Sequence, residues 1–378
     1  MTHTPLVSVR IPSYNHEKYI RACIQSILDQ TFTDFEIVIV DDCSTDHSVE
    51  VIQSFDDPRI KLEVLPRNSG MNVAVARCVQ LSSGKYIANL SSDDLWAPTK
   101  LAEQVAYLEH NPDCAAVFTQ VTIVGEDGQE LTPQEFLSPF DYENRSPDEW
   151  LRRFFYLGNC LCSPSVMIRR EVYEKFSCQD KRMVSLSDFD LWVKLSLEYK
   201  LWVLDQKLTM FRVRAGGANL SANNPGNQRR QMFEFKQILD HYLEIHDPER
   251  LKHIFPECEK FGEPEARTIP YFLGRLAIDV PTMVHWLWGC EKIFDLMADP
   301  DMARLLEEKC DFRYRDFIDL TKTAPPAPPE PAPQPKPAPK PNLAAYGVYR
   351  VKRILARLFP RGYLALKRRF YRVFGKSE

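Results

Sequence analysis

An α/β fold built on a mostly parallel sheet is what this 378-residue chain predicts. Three observations carry the expectation. Over the first 120 residues, short β-branched runs alternate with amphipathic stretches, the pattern of strand–helix–strand units joined by crossovers. The run Phe35–Val40 is almost uninterruptedly apolar, as a strand is when both faces of a sheet are covered. Clusters of Asp, Asn and Ser follow the runs directly, and open α/β sheets bind ligands at the carboxyl ends of their strands.

The elements follow in order. Val7-Ser-Val-Arg-Ile11 reads as the first strand. Glu17 to Gln30 reads as a helix, because Ile20, Cys23, Ile24, Ile27 and Leu28 share one face at helical spacing. Phe35-Glu-Ile-Val-Ile-Val40 is the second strand. Then come a helix near 46–55, a strand near 60–65, a helix near 71–82, a strand at 85–90, a helix near 98–110 and a strand at 115–119. The polar, Pro-containing stretch 125–148 predicts a long surface loop or short hairpin, a common place for a binding lid. Segments 150–157 and 187–199 read as helices, and 165–169 and 201–213 as strands. Residues 226 to about 320 are mostly helical in pattern and carry no named motif.

The far end of the chain changes character. Ten prolines in positions 325–341 leave no material for a core and predict a semi-rigid polyproline spacer. Residues 342–378 hold ten Lys/Arg against Glu378 alone, a local charge of +9 within a chain of net −4, so the rest carries −13. Val351, Ile354, Leu355 and Leu358 fall on one helical face, and Tyr363, Leu366, Phe370, Val373 and Phe374 repeat the pattern. Basic amphipathic helices of this kind suit an anionic membrane surface, or else an acidic protein partner. With the basic charge confined to a tail, nucleic-acid binding by the folded body is not expected. The expected organisation is a catalytic domain at 1–222, a helical accessory region at 223–322, a linker at 323–341 and a membrane-associating tail at 342–378.

Composition excludes other classes. A hydrophobic share of 44% with 26% charged residues is an ordinary globular mixture, and no apolar run approaches the roughly 18 residues of a spanning helix. The N-terminus lacks the layout of a secretory signal, and ten scattered cysteines show neither zinc nor redox spacing. Buried thiols in a cytosolic protein, peripheral on the cytoplasmic face of an inner membrane, are the expectation. No Gly-x-Gly-x-x-Gly follows the first strand and no P-loop occurs, which weakens a dehydrogenase and a P-loop hydrolase.

Chemistry concentrates after the strands. The first ends in Ile11-Pro-Ser-Tyr-Asn15, the second in Asp41-Asp42-Cys43-Ser44, the fourth in Ser91-Ser92-Asp93-Asp94. Two carboxylate pairs facing one crevice repel each other and resist desolvation, a strain that a divalent cation relieves. Oxygen-only donors favour Mg²⁺ or Mn²⁺. The blander alternative, helix capping, suits Ser44 and Asp46 better than Asp42, Asp93 or Asp94.

The run Val7-Ser-Val-Arg-Ile-Pro-Ser-Tyr-Asn15, with Ile24-Gln-Ser-Ile-Leu-Asp-Gln-Thr-Phe32, Glu36-Ile-Val-Ile-Val-Asp-Asp-Cys-Ser44, Asn68-Ser-Gly70, Ala76-Arg77, Gly84-Lys-Tyr-Ile87 and Ser92-Asp93-Asp94-Leu-Trp96, resembles the family 2 glycosyltransferases of GT-A fold over about residues 5–215. The resemblance implies an inverting, nucleotide-sugar-dependent enzyme. Pro12, Tyr14 and Asn15 would border the nucleotide pocket, Asp42 would accept a hydrogen bond from the base, typically uracil, and Arg77 or Arg67 would approach the base or diphosphate. Asp93 would touch ribose or metal, and Asp94 the metal bridging the diphosphate. Ser91 stands where relatives often carry a further Asp.

Ser187-Asp188-Phe189-Asp190-Leu-Trp192 resembles the family's Glu-Asp-x-x-Leu-Trp segment and makes Asp188 the general base, with Ser187 in place of Glu and Asp190 the runner-up. Asp188 also suits the N-cap of a helix carrying Leu191, Trp192 and Leu195, and it could be both. Arg214 stands where relatives carry His; it would contact the diphosphate, or it is a surface charge. Cys160, Cys162, Trp286 and Trp288 read as packing residues. The expected activity is transfer from a nucleotide-sugar, most readily a UDP-sugar, with Mn²⁺ or Mg²⁺, to a glycan or lipid-linked glycan in surface polysaccharide synthesis. The competing expectation is a nucleotide-sugar-binding scaffold with impaired chemistry; a nucleotidyltransferase is disfavoured by the missing Gly-rich first loop.

Overall fold

The computed structural model describes residues 3–176, 180–214, 219 and 224–322. The expected linker and basic tail lie outside the described residues. Eight strands form one sheet: β1 (Val7–Ser13), β2 (Phe35–Asp41), β3 (Ile60–Val64), β4 (Tyr86–Asn89), β5 (Leu95–Trp96), β6 (Cys114–Val124), β7 (Met167–Arg169) and β8 (Lys200–Arg212), in the order β3-β2-β1-β4-β7-β6-β8-β5. β1 pairs in parallel with β2 and β4, β2 with β3, and β6 with β8. β7 runs antiparallel between β4 and β6, and β5 lies antiparallel on β8. The mostly parallel sheet is therefore as the sequence predicts.

Helices cover both faces. On one side α1 (Ile20–Leu28), α2 (Ser48–Gln53) and α4 (Lys100–His110) bury Ile24, Ile27, Ile52, Leu101 and Val105 against Val7, Val9, Ile11 and Ile37. On the other side α3 (Met71–Leu81), α5 (Pro147–Leu157) and α7 (Ser187–Glu198) pack on Ile87, Phe118 and Ile168, with Trp150 and Trp192 fully buried; α6 (Arg170–Lys175) follows β7 and buries Val172 and Tyr173 there. Strand side chains alternate between the two faces, so Val7, Val9 and Ile11 face α1 while Ser8 and Arg10 face α3.

The C-terminal helices α8 (Pro225–Leu239), α9 (Pro248–Ile254), α10 (Ile269–Ile278), α11 (Met283–Met297), α12 (Pro300–Cys310) and α13 (Tyr314–Leu320) give 226–320 its expected helical character. They contribute Ile238, Phe272, Trp288 and Ile293, and the turn after α8 contributes Tyr242, to the same core as the α5/α7 face. α10 and α11 cross where Gly274 meets Gly289: a Cβ on Gly274 would stand 2.9 Å from the Gly289 carbonyl, so only glycine permits the approach.

Boundaries moved for identifiable reasons. α1 starts at Ile20, not Glu17, because the Glu17 carboxylate and N–H are engaged with the 46–47 turn. α5 starts at Pro147 because Ser146 and Glu149 close a capping box. β5 is two residues long, too short to leave a periodic signal, and β6 extends to Val124 by pairing with β8. The 125–148 stretch opens as a hairpin, with Val124 bridged to Glu130, and continues without a regular element until α5. No helix among the described residues is long and apolar enough to cross a membrane.

Candidate active site

The carboxyl ends of β1 and β2 are locked to each other. Asn15 sits in the left-handed region at φ 52°, where Asn is tolerated, and its N–H donates to Ser44 Oγ at 2.9 Å while its Oδ1 accepts from Thr45 N at 2.8 Å. Asp41 is fully buried and accepts from Ser44 N and Oγ, both at 2.7 Å. Asp42 instead turns toward the start of α3. Its two oxygens accept from Ser69 N at 2.7 Å and Gly70 N at 2.8 Å, and Gly70 adopts φ 95°. That geometry fixes the carboxylate and leaves lone pairs for one further donor. Tyr14 stands 42% exposed at the strand end, and Pro12 is partly buried below it.

Asp93 and Asp94 follow β4 and are both buried. Asp94 Oδ1 accepts from Arg212 N at 2.7 Å; burial, and then the neighbouring Asp93 charge, hold its carboxyl well above the usual range. Arg212 binds the segment from beneath: Nε donates to Asp93 O at 2.8 Å, Nη1 to Gly125 O at 2.9 Å and Glu126 O at 3.0 Å. Arg214, one turn of strand further, places Nε 3.2 Å from Asp93 Oδ2 and Nη1 2.7 Å from His16 Nε2. An arginine only donates, so His16 Nε2 accepts and its Nδ1–H donates to Ser92 Oγ at 2.7 Å. Burial lowers the His16 pKa, opposed by Asp93 and aided by Arg214, which agrees with that neutral tautomer.

The third strand-end group comes from α7. Asp188, in its first turn, accepts from its neighbour Phe189 N at 2.8 Å through Oδ1 and from Asn159 Nδ2 at 3.3 Å through Oδ2. It keeps a partly open surface while protein crowds it on all other sides, and this desolvation pushes its carboxyl up to about 6. Burial, and then the Asp94 and Asp188 charges, push the Cys162 thiol well above its ordinary value. The N-terminus of α7 is clamped. Glu234 on α8, 3% exposed, accepts from Val184 N, Ser185 N and Leu186 N at 2.8–2.9 Å, and Asn72 on α3 accepts from Ser187 Oγ at 3.1 Å. Asp190 points elsewhere, bonded to Lys194 Nζ and His241 Nε2, each at 2.6 Å.

Asp42, Asp93, Asp94, Arg214 and Asp188 thus gather at the carboxyl ends of the strands. Arg77 does not join them: its fork grips Glu63, with Nε and Nη2 each 2.8 Å from a carboxylate oxygen. Cys160 and Cys162 are buried, and burial pushes the first up to about 11 and the second well above its ordinary value, so neither is a nucleophile. Trp288 is core, its Nε1 donating to Asp240 at 2.9 Å. A cleft of about 620 Å³ lined by Pro5, Phe35, Pro58 and Lys61 opens at the opposite ends of the strands. His16 and Glu234 escaped the sequence reading, which gives Arg212 and Asn159 no role of their own. His16 could have been found, since it follows β1 directly; Glu234 left no local signal.

The family model for glycosyl transferase family 2 matches residues 8–176. An uncharacterised glycosyltransferase of Methanocaldococcus jannaschii is 31% identical over 214 residues, 55% of this chain and 71% of that protein. A putative teichuronic acid biosynthesis glycosyltransferase of Bacillus subtilis is 40% identical over 129 residues, 34% of this chain and 51% of that protein, so this alignment spans about half of the relative. Among solved structures, S. aureus TarS 1–349 in complex with UDP-GlcNAc superposes with a TM-score of 0.53 at 21% identity, covering 80% of this chain and 90% of that one.

Proposed function

Because the chain belongs to glycosyl transferase family 2 and is a glycosyltransferase, we propose that it moves a sugar from a UDP-sugar, with inversion, to a hydroxyl of a glycan or lipid-linked glycan in surface polysaccharide synthesis. One observation carries the reading of the chemistry. Asp188, raised to about 6 by desolvation, keeps a partly open surface at the start of α7. Burial and the neighbouring Asp93 charge hold the Asp94 carboxyl well up, so the chain offers both a proton acceptor and a strained acidic pair. The structural relative is in complex with UDP-GlcNAc, and the Bacillus relative is named as a putative teichuronic acid biosynthesis glycosyltransferase, which support the donor and the setting.

In this reading Tyr14 and Pro12 flank the base, with Asn15 shaping the turn. Asp42 takes the base's donor on the lone pairs that Ser69 and Gly70 leave. Arg214 releases part of its hold on Asp93 to the diphosphate, its planar fork suiting phosphate oxygens. Arg77 could serve the donor only by opening its pair with Glu63. Mn²⁺ or Mg²⁺ fits Asp94 and Asp93: both offer hard oxygen donors, and Asp94 is buried beside a like charge that a cation would offset. Such an ion would complete its shell from phosphates and water. When bound, it neutralises charge on the leaving diphosphate.

Asp188 Oδ2 takes the proton of the acceptor hydroxyl, since Oδ1 is turned to Phe189 N. The acceptor oxygen attacks the anomeric carbon as the bond to the diphosphate breaks, and the nucleoside diphosphate leaves with the electron pair. A single carboxylate suffices for this displacement. The basic tail 342–378, outside the described residues, would bring the enzyme to a membrane-borne acceptor.

The test is a panel of nucleotide-sugars with Mn²⁺, Mg²⁺ or chelator, following nucleoside diphosphate release by wild type and Asp188→Asn. Metal-dependent release from one donor, lost in the variant while donor still binds, is the expected result. Binding without release, even with membrane extract as acceptor source, would favour a scaffold.

A further inference from the structure

Two polar side chains occupy places in the sheet where apolar packing is expected. Arg10 on β1 and Asn89 on β4 are register partners on adjacent parallel strands, so their side chains rise side by side from one face. Ile87, two residues before Asn89, packs with α3 and α7, which identifies that face as the one beneath Asp188. Arg10 is 3% exposed and Asn89 2%. The Arg10 Nε and both amide atoms of Asn89 are enclosed without a hydrogen-bond partner. Among the described residues Arg10 forms no salt bridge; its guanidinium lies 5.9 Å from the Tyr173 ring centre and within the field of Asp188.

A buried arginine with no carboxylate bonded to it and its Nε enclosed unpaired is costly for a core to hold, and an amide with neither end bonded adds to the cost. Folding gives no reason for such a pair, because apolar residues of similar volume would pack there at least as well. A ligand gives one. We propose that Arg10 and Asn89 form a subsite for an anionic oxygen group, a carboxylate or a phosphate, carried by the acceptor glycan. The guanidinium fork matches the paired oxygens of either group, and the Asn89 amide adds one donor and one acceptor for an adjacent hydroxyl. Its neighbourhood sets the side: Arg10 belongs with Asp188, which faces the acceptor, whereas Arg214 and His16 crowd Asp93 at the donor's end. The inference rests on the glycosyltransferase reading above and deepens it to an enzyme that selects acidic acceptors.

The experiment uses the full chain saturated with UDP and Mn²⁺, so that the donor site is blocked, and titrates three probes calorimetrically. Methyl glucoside is neutral, methyl glucuronide carries a carboxylate, and glucose 1-phosphate carries a phosphate. One anionic probe is expected to bind at least tenfold more tightly than the neutral one, and which of the two does so identifies the group. In Arg10→Met and Asn89→Leu the advantage disappears while the melting temperature holds or rises. Equal binding of all three probes to the wild type overturns the proposal and needs no variant. So does discrimination that survives Arg10→Met, or a lower melting temperature with discrimination unchanged, the mark of a water-filled structural pair. Release of nucleoside diphosphate by the wild type is measured separately. Donor turnover without anion discrimination sinks the subsite alone, and anion discrimination without turnover of any donor sinks the transferase reading alone.

Discussion

Replacing Asp188 by Asn is expected to stabilise the folded protein at pH 8 and to stop sugar transfer, two consequences of one burial. The carboxyl is raised from 3.8 to about 6 by desolvation, against the opposing hydrogen bonds from Phe189 N and Asn159 Nδ2. Between those values the folded state holds the proton that the unfolded chain has lost, so stability falls as pH rises through the window and stays lower above it. Two units correspond to at most about 3 kcal/mol. Partial exposure screens some of that, and the variant gives up the weak Asn159 contact, leaving a net gain of about 1–2 kcal/mol, or roughly 2–4 °C in melting temperature. Thermal melts of both proteins from pH 4 to 8.5, with chelator and without nucleotide, check this. The difference should be near zero at pH 4, grow to pH 6 and level off above. A difference independent of pH, or a less stable variant at pH 8, would refute the assignment of the raised carboxyl. Transfer should drop by about 10²–10⁴-fold in the variant, and the wild-type rate should lose about tenfold per unit below pH 6.

Glu234→Gln offers one carbonyl oxygen where a carboxylate serves three N–H groups, so one or two buried donors face an NH₂. A loss of about 2–4 kcal/mol in urea denaturation is expected, with kcat lowered and donor KM nearly unchanged, because the clamp holds the residues just ahead of Asp188. Arg77→Ala should leave donor KM within about twofold, a change no larger than an exposed ion pair explains. A tenfold rise would instead place Arg77 on the nucleotide. Asp94→Asn should reduce metal-stimulated donor turnover by about 10²-fold or more and make donor binding indifferent to chelator, whereas retained Mn²⁺ stimulation would move the metal elsewhere.

The sheet was readable because its signals are local. Phe35–Val40 is apolar on both faces and became the fully buried β2, and the acidic pairs follow their strands, where the backbone turns toward solvent. Boundaries shifted where a side chain competes for the backbone, as Glu17 does before α1 and Ser146 does before α5. β5 was unreadable because two residues have no period.

The chain by itself determined the order of the strands and helices other than β5 and α6, the carboxylates that follow β2 and β4, and the candidacy of Asp188, since each rests on periodicity or on a contiguous motif. Only the tertiary structure decided what those groups meet. Asp94 is bonded by the backbone of Arg212 at the end of β8, 118 positions along the chain, and Glu234 holds the residues leading into α7 from 48–50 positions further along. Arg77 is drawn to Glu63 while Arg214 turns to Asp93 and His16, and neither arginine's partner lies in its local sequence. Partners, burial and the resulting pKa values are properties of residues brought together across distant strands, and no local pattern encodes a neighbour that folding alone supplies.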